Sequence, residues 1–265
     1  MSRIADAFAA ARRARRAAFI PYVTAGDPSL ERTVGLARAL RRAGADILEL
    51  GVPFSDPIAD GPTNQLAAER ALAAGATLAG VLEAAAHIRS EEDLPLILFS
   101  YANPVVHYGV DRFAEDAASA GVDGILFTDV PVEELGRFES DLERTGLDAI
   151  LLVTPTSTKE RIKAASRRGG GFIYLVSTTG VTGARSVLDP ELASNIRTAR
   201  RISKLPVAVG FGISTPAQVS EVAALADGVV VGSAIVDRIG RYGDAAGLED
   251  MVQRFATPLA EACRR

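Results

Sequence analysis

Eight short apolar runs recur at near-regular intervals along this chain, and that beat limits its fold more than any single motif does. They occupy residues 18–23, 46–50, 96–100, 124–128, 149–153, 172–176, 207–211 and 229–231. Each is brief and rich in Val, Ile, Leu or Phe, as expected of strands covered on both faces. Between them lie stretches of helical period rich in Ala, Arg and Glu, such as 30–43, 78–89, 133–144 and 190–201. Eight units in 265 residues take about 33 residues each, close to the ~30 of a strand–helix–strand repeat. An open doubly wound sheet usually carries a Gly-rich turn after its first strand. Here Thr24-Ala25-Gly26-Asp27-Pro28 follows instead, and the glycines gather after the sixth, seventh and eighth runs. The expectation is an α/β chain forming one (β/α)8 TIM barrel over 1–265, with no linker or break in composition dividing it.

The N-terminus adds to that frame. Ile4, Phe8 and Ala11 share one helical face, and Arg12, Arg13, Arg15 and Arg16 fall at its end, where cations suit the helix dipole. This reads as an extra N-terminal helix rather than an organelle-targeting segment. Hydrophobic residues at 48% and charged residues at 23% fit an ordered globular chain. A net charge of -4 argues against a general nucleic-acid binder. The single cysteine, Cys263, excludes an internal disulfide and a multi-cysteine metal site. No apolar run approaches the ~18 residues of a membrane span, and the expected location is cytoplasmic. His87, expected in a helix, and His107, expected in a loop, lack any partner pattern, so no metal is expected.

Two connections are too long to be plain turns, 51–61 and 178–189, and both follow strands at the end where a barrel places its site. Strand alternation puts Ile47, Glu49 and Gly51 on one face and Leu48 and Leu50 on the other. The leucines suit the helix side, so Glu49 points into the barrel near its mouth. A carboxyl there either meets a neighbour that satisfies it or has its pKa raised into the range of a general acid–base. Asp60 lies 11 residues on, in the following loop. It offers a second carboxylate, although Asp before Gly-Pro is also good turn chemistry and a cap for a helix starting near Thr63. Gly180-Val181-Thr182-Gly183, Gly210-Phe211-Gly212 and Gly232-Ser233 converge after the last three strands. They suit either tight turns or phosphate held on bare N–H groups. Tyr22, Phe99, Tyr101, Phe127, Tyr174 and Phe211 lie near strand ends and suit either core filling or a flat-ring pocket.

The segment 48–63, LELGVPFSDPIADGPT, resembles the signature of the tryptophan synthase alpha chain family. Five further blocks match that family in order: FIPYVTAGDP at 19–28, YANP at 101–104, DVPVEE at 129–134, STTGVTG at 177–183 and GFGIS at 210–214. The resemblance implies a lyase that cleaves indole-3-glycerol phosphate to indole and glyceraldehyde 3-phosphate, with Glu49 and Asp60 as its catalytic pair. It implies phosphate contacts from Gly183, Gly212, Gly232 and Ser233. It further implies an indole pocket lined by Tyr22, Phe99, Tyr174 and Phe211, and Thr182 meeting Asp60 when its loop closes. Many family members carry Phe where this chain has Tyr22. The family also implies a beta-chain partner in an alpha2beta2 heterotetramer, with pyridoxal phosphate in the partner and no cofactor in this chain. Pro53, Asp56, Asn103, Pro104 and Pro131 resemble the partner-facing surface. A stand-alone indole-releasing lyase and an inactive activator of the beta chain are the competing readings, and an assay of indole release with and without a beta chain separates them.

Overall fold

The computed structural model describes residues 2–177, 190–210 and 212–264, so Thr182, Gly183 and Phe211 lie outside the described residues. Eight parallel strands close into a barrel in sequence order: β1 (Ala18–Thr24), β2 (Leu48–Gly51), β3 (Leu96–Ser100), β4 (Gly124–Phe127), β5 (Asp148–Val153), β6 (Ile173–Val176), β7 (Val207–Gly210) and β8 (Gly228–Val231). Pairing of Ala18 with Gly228 and of Pro21 with Val231 closes the ring between β1 and β8. The surrounding helices are α1 (Arg3–Arg13), α2 (Leu30–Ala43), α3 (Pro62–Ala73), α4 (Leu78–Glu91), α5 (Ala102–Tyr108), α6 (Val110–Ser119), α7 (Glu139–Thr145), α8 (Lys159–Arg168), α9 (Pro190–Ile202), α10 (Pro216–Ala223), α11 (Ser233–Tyr242) and α12 (Leu248–Glu261). Among the described residues no single helix is long and apolar enough to cross a membrane.

Strand alternation sorts the apolar side chains into two layers. Leu48, Leu50, Leu98 and Val209 join the layer between barrel and helices, whereas Ile20, Ile47, Ile97, Leu126, Ile150 and Val230 fill the interior. The expected helix before β1 is present. Its Ile4, Phe8 and Ala11 are buried and join the interior cluster, with the Phe8 ring 5.4 Å from that of Phe172. The helix thus plugs the N-terminal end of the barrel.

That end is also clipped by a recurring device. Asp46, Asp123 and Asp227 each stand just before a strand and accept the backbone N–H of the strand before it: Phe19 at 2.8 Å, Leu96 at 2.9 Å and Val207 at 3.1 Å. Each also takes an arginine, Arg16 at 2.7 Å, Arg89 at 2.6 Å and Arg200 at 2.9 Å. Arg15 and Arg16 therefore depart from the expected place in the last turn of α1. The helix stops at Arg13, Arg15 adopts a left-handed φ of 54° to turn the chain, and Arg16 reaches inward to Asp46.

Boundaries held where local chemistry marks them. The Ser29 side chain accepts from the Arg32 N–H, and Gly44 at φ 107° ends the helix, so α2 matches the expected span. The expected 133–144 helix breaks into a 3-10 turn, Leu135–Arg137, and α7, because Gly136 sits in mid-span where a helix tolerates it poorly. His107 lies in α5, not in a loop.

Candidate functional site

A cavity of about 240 Å³ opens at the C-terminal end of the barrel, the end opposite α1. Glu49 is at its base. Its strand is short and buried throughout, and its neighbours in register are Tyr22 on β1 and Ile97 on β3. The carboxyl is fully buried, and among the described residues neither oxygen has a hydrogen-bond partner. Burial without compensation pushes its pKa up to about 8. At neutral pH the group is therefore a carboxylic acid, able to give a proton and later take one back.

Asp60 lines the same cavity from the loop after β2. It does not cap α3: Gly61 holds that position, and Pro62 begins the helix with its φ already set. Its carboxylate is instead held from outside the loop. Tyr101, the residue before α5, donates its hydroxyl to Asp60 Oδ2 at 2.8 Å and accepts the Ala59 N–H at 2.9 Å. Asn64, in the first turn of α3, supplies a second hydrogen bond. Burial raises the Asp60 pKa, and these two hydrogen bonds oppose the rise by favouring the anion. The two carboxyl groups of one cavity thus have different environments, one bare and one held by donors.

The walls are aromatic. Tyr22 and Phe99 meet edge to face, with centroids 5.3 Å apart and planes at 74°. The Tyr22 hydroxyl lies 3.3 Å from Thr24 Oγ1 and above Gly51, where an added Cβ would stand 2.1 Å from it. Tyr174 uses Gly210 in the same way, again with 2.1 Å to an added Cβ. Each tyrosine therefore needs a glycine at the end of the next strand. Burial raises both phenol pKa values, so the rings enter the site as neutral groups.

Gly212, Gly232 and Ser233 also line the cavity. Gly232 is the residue before the ten-residue helix α11, and Ser233 is its first residue. The first N–H groups of a helix lack partners within it, so this corner suits a phosphate. Of the residues assigned by resemblance, Glu49, Asp60, Tyr22, Phe99, Tyr174, Gly212, Gly232 and Ser233 meet around one cavity.

The surface residues fall on the segments that follow β2, β3 and β4. Asp56, Asn103 and Pro131 are exposed, Pro104 is half-buried and Pro53 is buried. Ile58 is 88% exposed and Val106 50%, so these segments also carry uncovered apolar side chains. No motif in the sequence marks Asn64. Pro62 at a helix start was the available signal, since it places Asn64 in the first turn, four residues after Asp60. Among the described residues no group of three or more His, Cys, Asp and Glu is placed to hold a metal ion.

The family model described as tryptophan synthase alpha chain matches residues 8–263. A tryptophan synthase alpha chain from Geobacter sulfurreducens is 51% identical over 262 residues, covering 99% of each chain. One from Solibacter usitatus is 50% identical over 259 residues, covering 98% of this chain and 97% of the relative. Among solved structures, the alpha chain from Legionella pneumophila superposes with a TM-score of 0.90 at 36% identity, covering 99% of this chain and 97% of that one. A chain of tryptophan synthase from Mycobacterium tuberculosis gives 0.91 at 37% identity, covering 100% and 99%. With sequence and barrel in agreement along nearly the whole length, the chain belongs to the tryptophan synthase alpha chain family, lyases of tryptophan biosynthesis.

Proposed function

We propose that this chain cleaves indole-3-glycerol phosphate into indole and glyceraldehyde 3-phosphate by general acid–base catalysis. The observation that carries the reading is Glu49, a bare, fully buried carboxyl with a pKa near 8 that shares a cavity with Asp60. Its acid form protonates the ring carbon that bears the side chain, leaving a cationic ring. The Glu49 carboxylate then takes the proton from the adjacent glycerol hydroxyl. The oxygen–hydrogen electron pair becomes the second bond of the aldehyde carbonyl, and the carbon–carbon bond breaks with its electrons returning to the ring. Asp60 remains an anion and stabilises the charge at the ring nitrogen.

The aromatic walls take the ring, and Gly212, Gly232 and Ser233 take the phosphate. In the same reading Gly183 adds a phosphate contact, Phe211 a ring contact and Thr182 a contact to Asp60. The partner is a beta chain carrying pyridoxal phosphate in an alpha2beta2 assembly, which receives the indole. The exposed Asp56, Ile58, Asn103 and Val106 beside the cavity mouth support a docking surface there. Glu49→Gln is the test. It should bind a glycerol-phosphate ligand and lose ~10²-fold or more in indole release. Near-normal turnover in that variant would remove Glu49 from the mechanism.

A further inference from the structure

Asn64 is a polar residue of the cavity that the acid–base reading leaves unused. It lines the cavity beside Asp60, and its side chain has two differently committed ends. The amide N–H end bonds the Asp60 carboxylate. The carbonyl end, Oδ1, is buried and has no partner among the described residues. Only its donor end can face an anion, so the carboxylate fixes which way the amide points. A buried acceptor left unmet costs free energy, of the same order as a lost hydrogen bond or more. Such a cost is offset when a ligand brings the missing donor.

The rest of the loop is braced so that this acceptor is held still. Gln65 Nε2 donates to the Asp60 carbonyl at 2.8 Å, and Tyr101 fixes both the Ala59 N–H and the Asp60 carboxylate. Because the two ends of one amide are close together, Oδ1 stays at the Asp60 end of the cavity. The part of the substrate at that end, on the reading above, is the ring N–H.

Resting on that reading, we propose that Asn64 is a further substrate-binding and positioning residue. Its N–H orients the Asp60 carboxylate, and its Oδ1 shares the ring N–H of the substrate with that carboxylate. Asp60 and Asn64 together then distinguish a ring carrying N–H from one of equal shape without it. A site built to meet a donor discriminates against a ligand that lacks the donor, since its own polar atom stays unpaired.

Asn64→Leu keeps the branching and heavy-atom count of the side chain and removes both hydrogen bonds. The probes are indole-3-propanol phosphate and its benzothiophene counterpart, which has the same shape and no ring N–H. Asn64→Leu should lose about 10-fold in affinity for the indole ligand and keep its affinity for the benzothiophene ligand. Indole release should fall by at least as much. Asn64→Ala, which empties the position instead of filling it, should show the same split if the leucine variant folds poorly. Equal weakening of both ligands assigns Asn64 a packing role and overturns the proposal, as does wild-type affinity for both. A wild-type chain that releases no indole overturns the proposed reaction, whereas normal indole release by Asn64→Leu overturns only the role of Asn64.

Discussion

Glu49 carries a conflict between stability and chemistry that can be measured without substrate. In the unfolded chain its carboxyl ionises near its ordinary value of 4.5, but in the folded chain burial holds the proton up to about pH 8. Between those values the unfolded state has released a proton that the folded state keeps. Stability is therefore lost as pH rises from about 4.5 to about 8, and the loss is constant above that. Glu49→Gln removes the titration. Its Tm should exceed that of the parent at pH 8, by a few kcal/mol in stability, and the gap should close below pH 4. A gap independent of pH would contradict the assignment of burial as the cause. The close fit of Tyr22 over Gly51 is also open to test. Gly51→Ala puts a Cβ against the phenol oxygen and ring edge, and ligand affinity should fall sharply. Tyr22→Phe in the same chain removes the nearest of those atoms and should restore part of the loss. No restoration would mean that the clash lies elsewhere.

The elements divide labour between the two ends of the barrel. At the N-terminal end, Asp46, Asp123 and Asp227 each tie an arginine to an N–H in the first two residues of a strand, and α1 closes the interior. At the other end the loop after β2 brings Asp60 and α3 to the cavity, and the turn after β8 brings Gly232 and α11. Asp123→Ala should cost about 1–3 kcal/mol, because the Leu96 N–H loses its acceptor and Arg89 is left with the Gly121 and Glu92 carbonyls and the exposed Asp93. Its kcat should be unchanged at temperatures where it is folded. A variant with normal stability in a denaturant titration, or with kcat lowered in the folded state, would contradict this separation of the ends. These elements were legible to different degrees. Period-two alternation placed Glu49 inside the barrel, because a strand has only two faces. Helix α2 was legible to the residue because Ser29 and Gly44 punctuate it. The inward turn of Arg16 was not, since it depends on tertiary packing that periodicity does not encode, and the break at Gly136 is a local effect of glycine that a helical apolar period masks.

For the whole molecule, closure of the barrel is what makes a site from residues far apart in sequence. Tyr22, Glu49, Phe99, Tyr174 and Ser233 come from five different strand–helix units and meet only because β8 pairs with β1. The sequence showed the acidic pair and the glycine corner as separate hints, and their meeting needed the closed ring. The hydrogen bonds that distinguish Asp60 from Glu49 were invisible, because Tyr101 and Asn64 reach Asp60 from two other elements. On the proposed reaction, one buried carboxyl serves as acid and then base on a carbon–carbon bond. The measurement that bears on it most directly is indole release from indole-3-glycerol phosphate across a pH series, for wild type and Glu49→Gln, each assembled with a beta chain. The wild-type kcat/KM should fall as pH rises through about 8, and the Glu49→Gln rate should be at least ~10²-fold lower throughout with ligand binding retained. A Glu49→Gln complex that releases indole at close to the wild-type rate, with the same pH dependence, would contradict it.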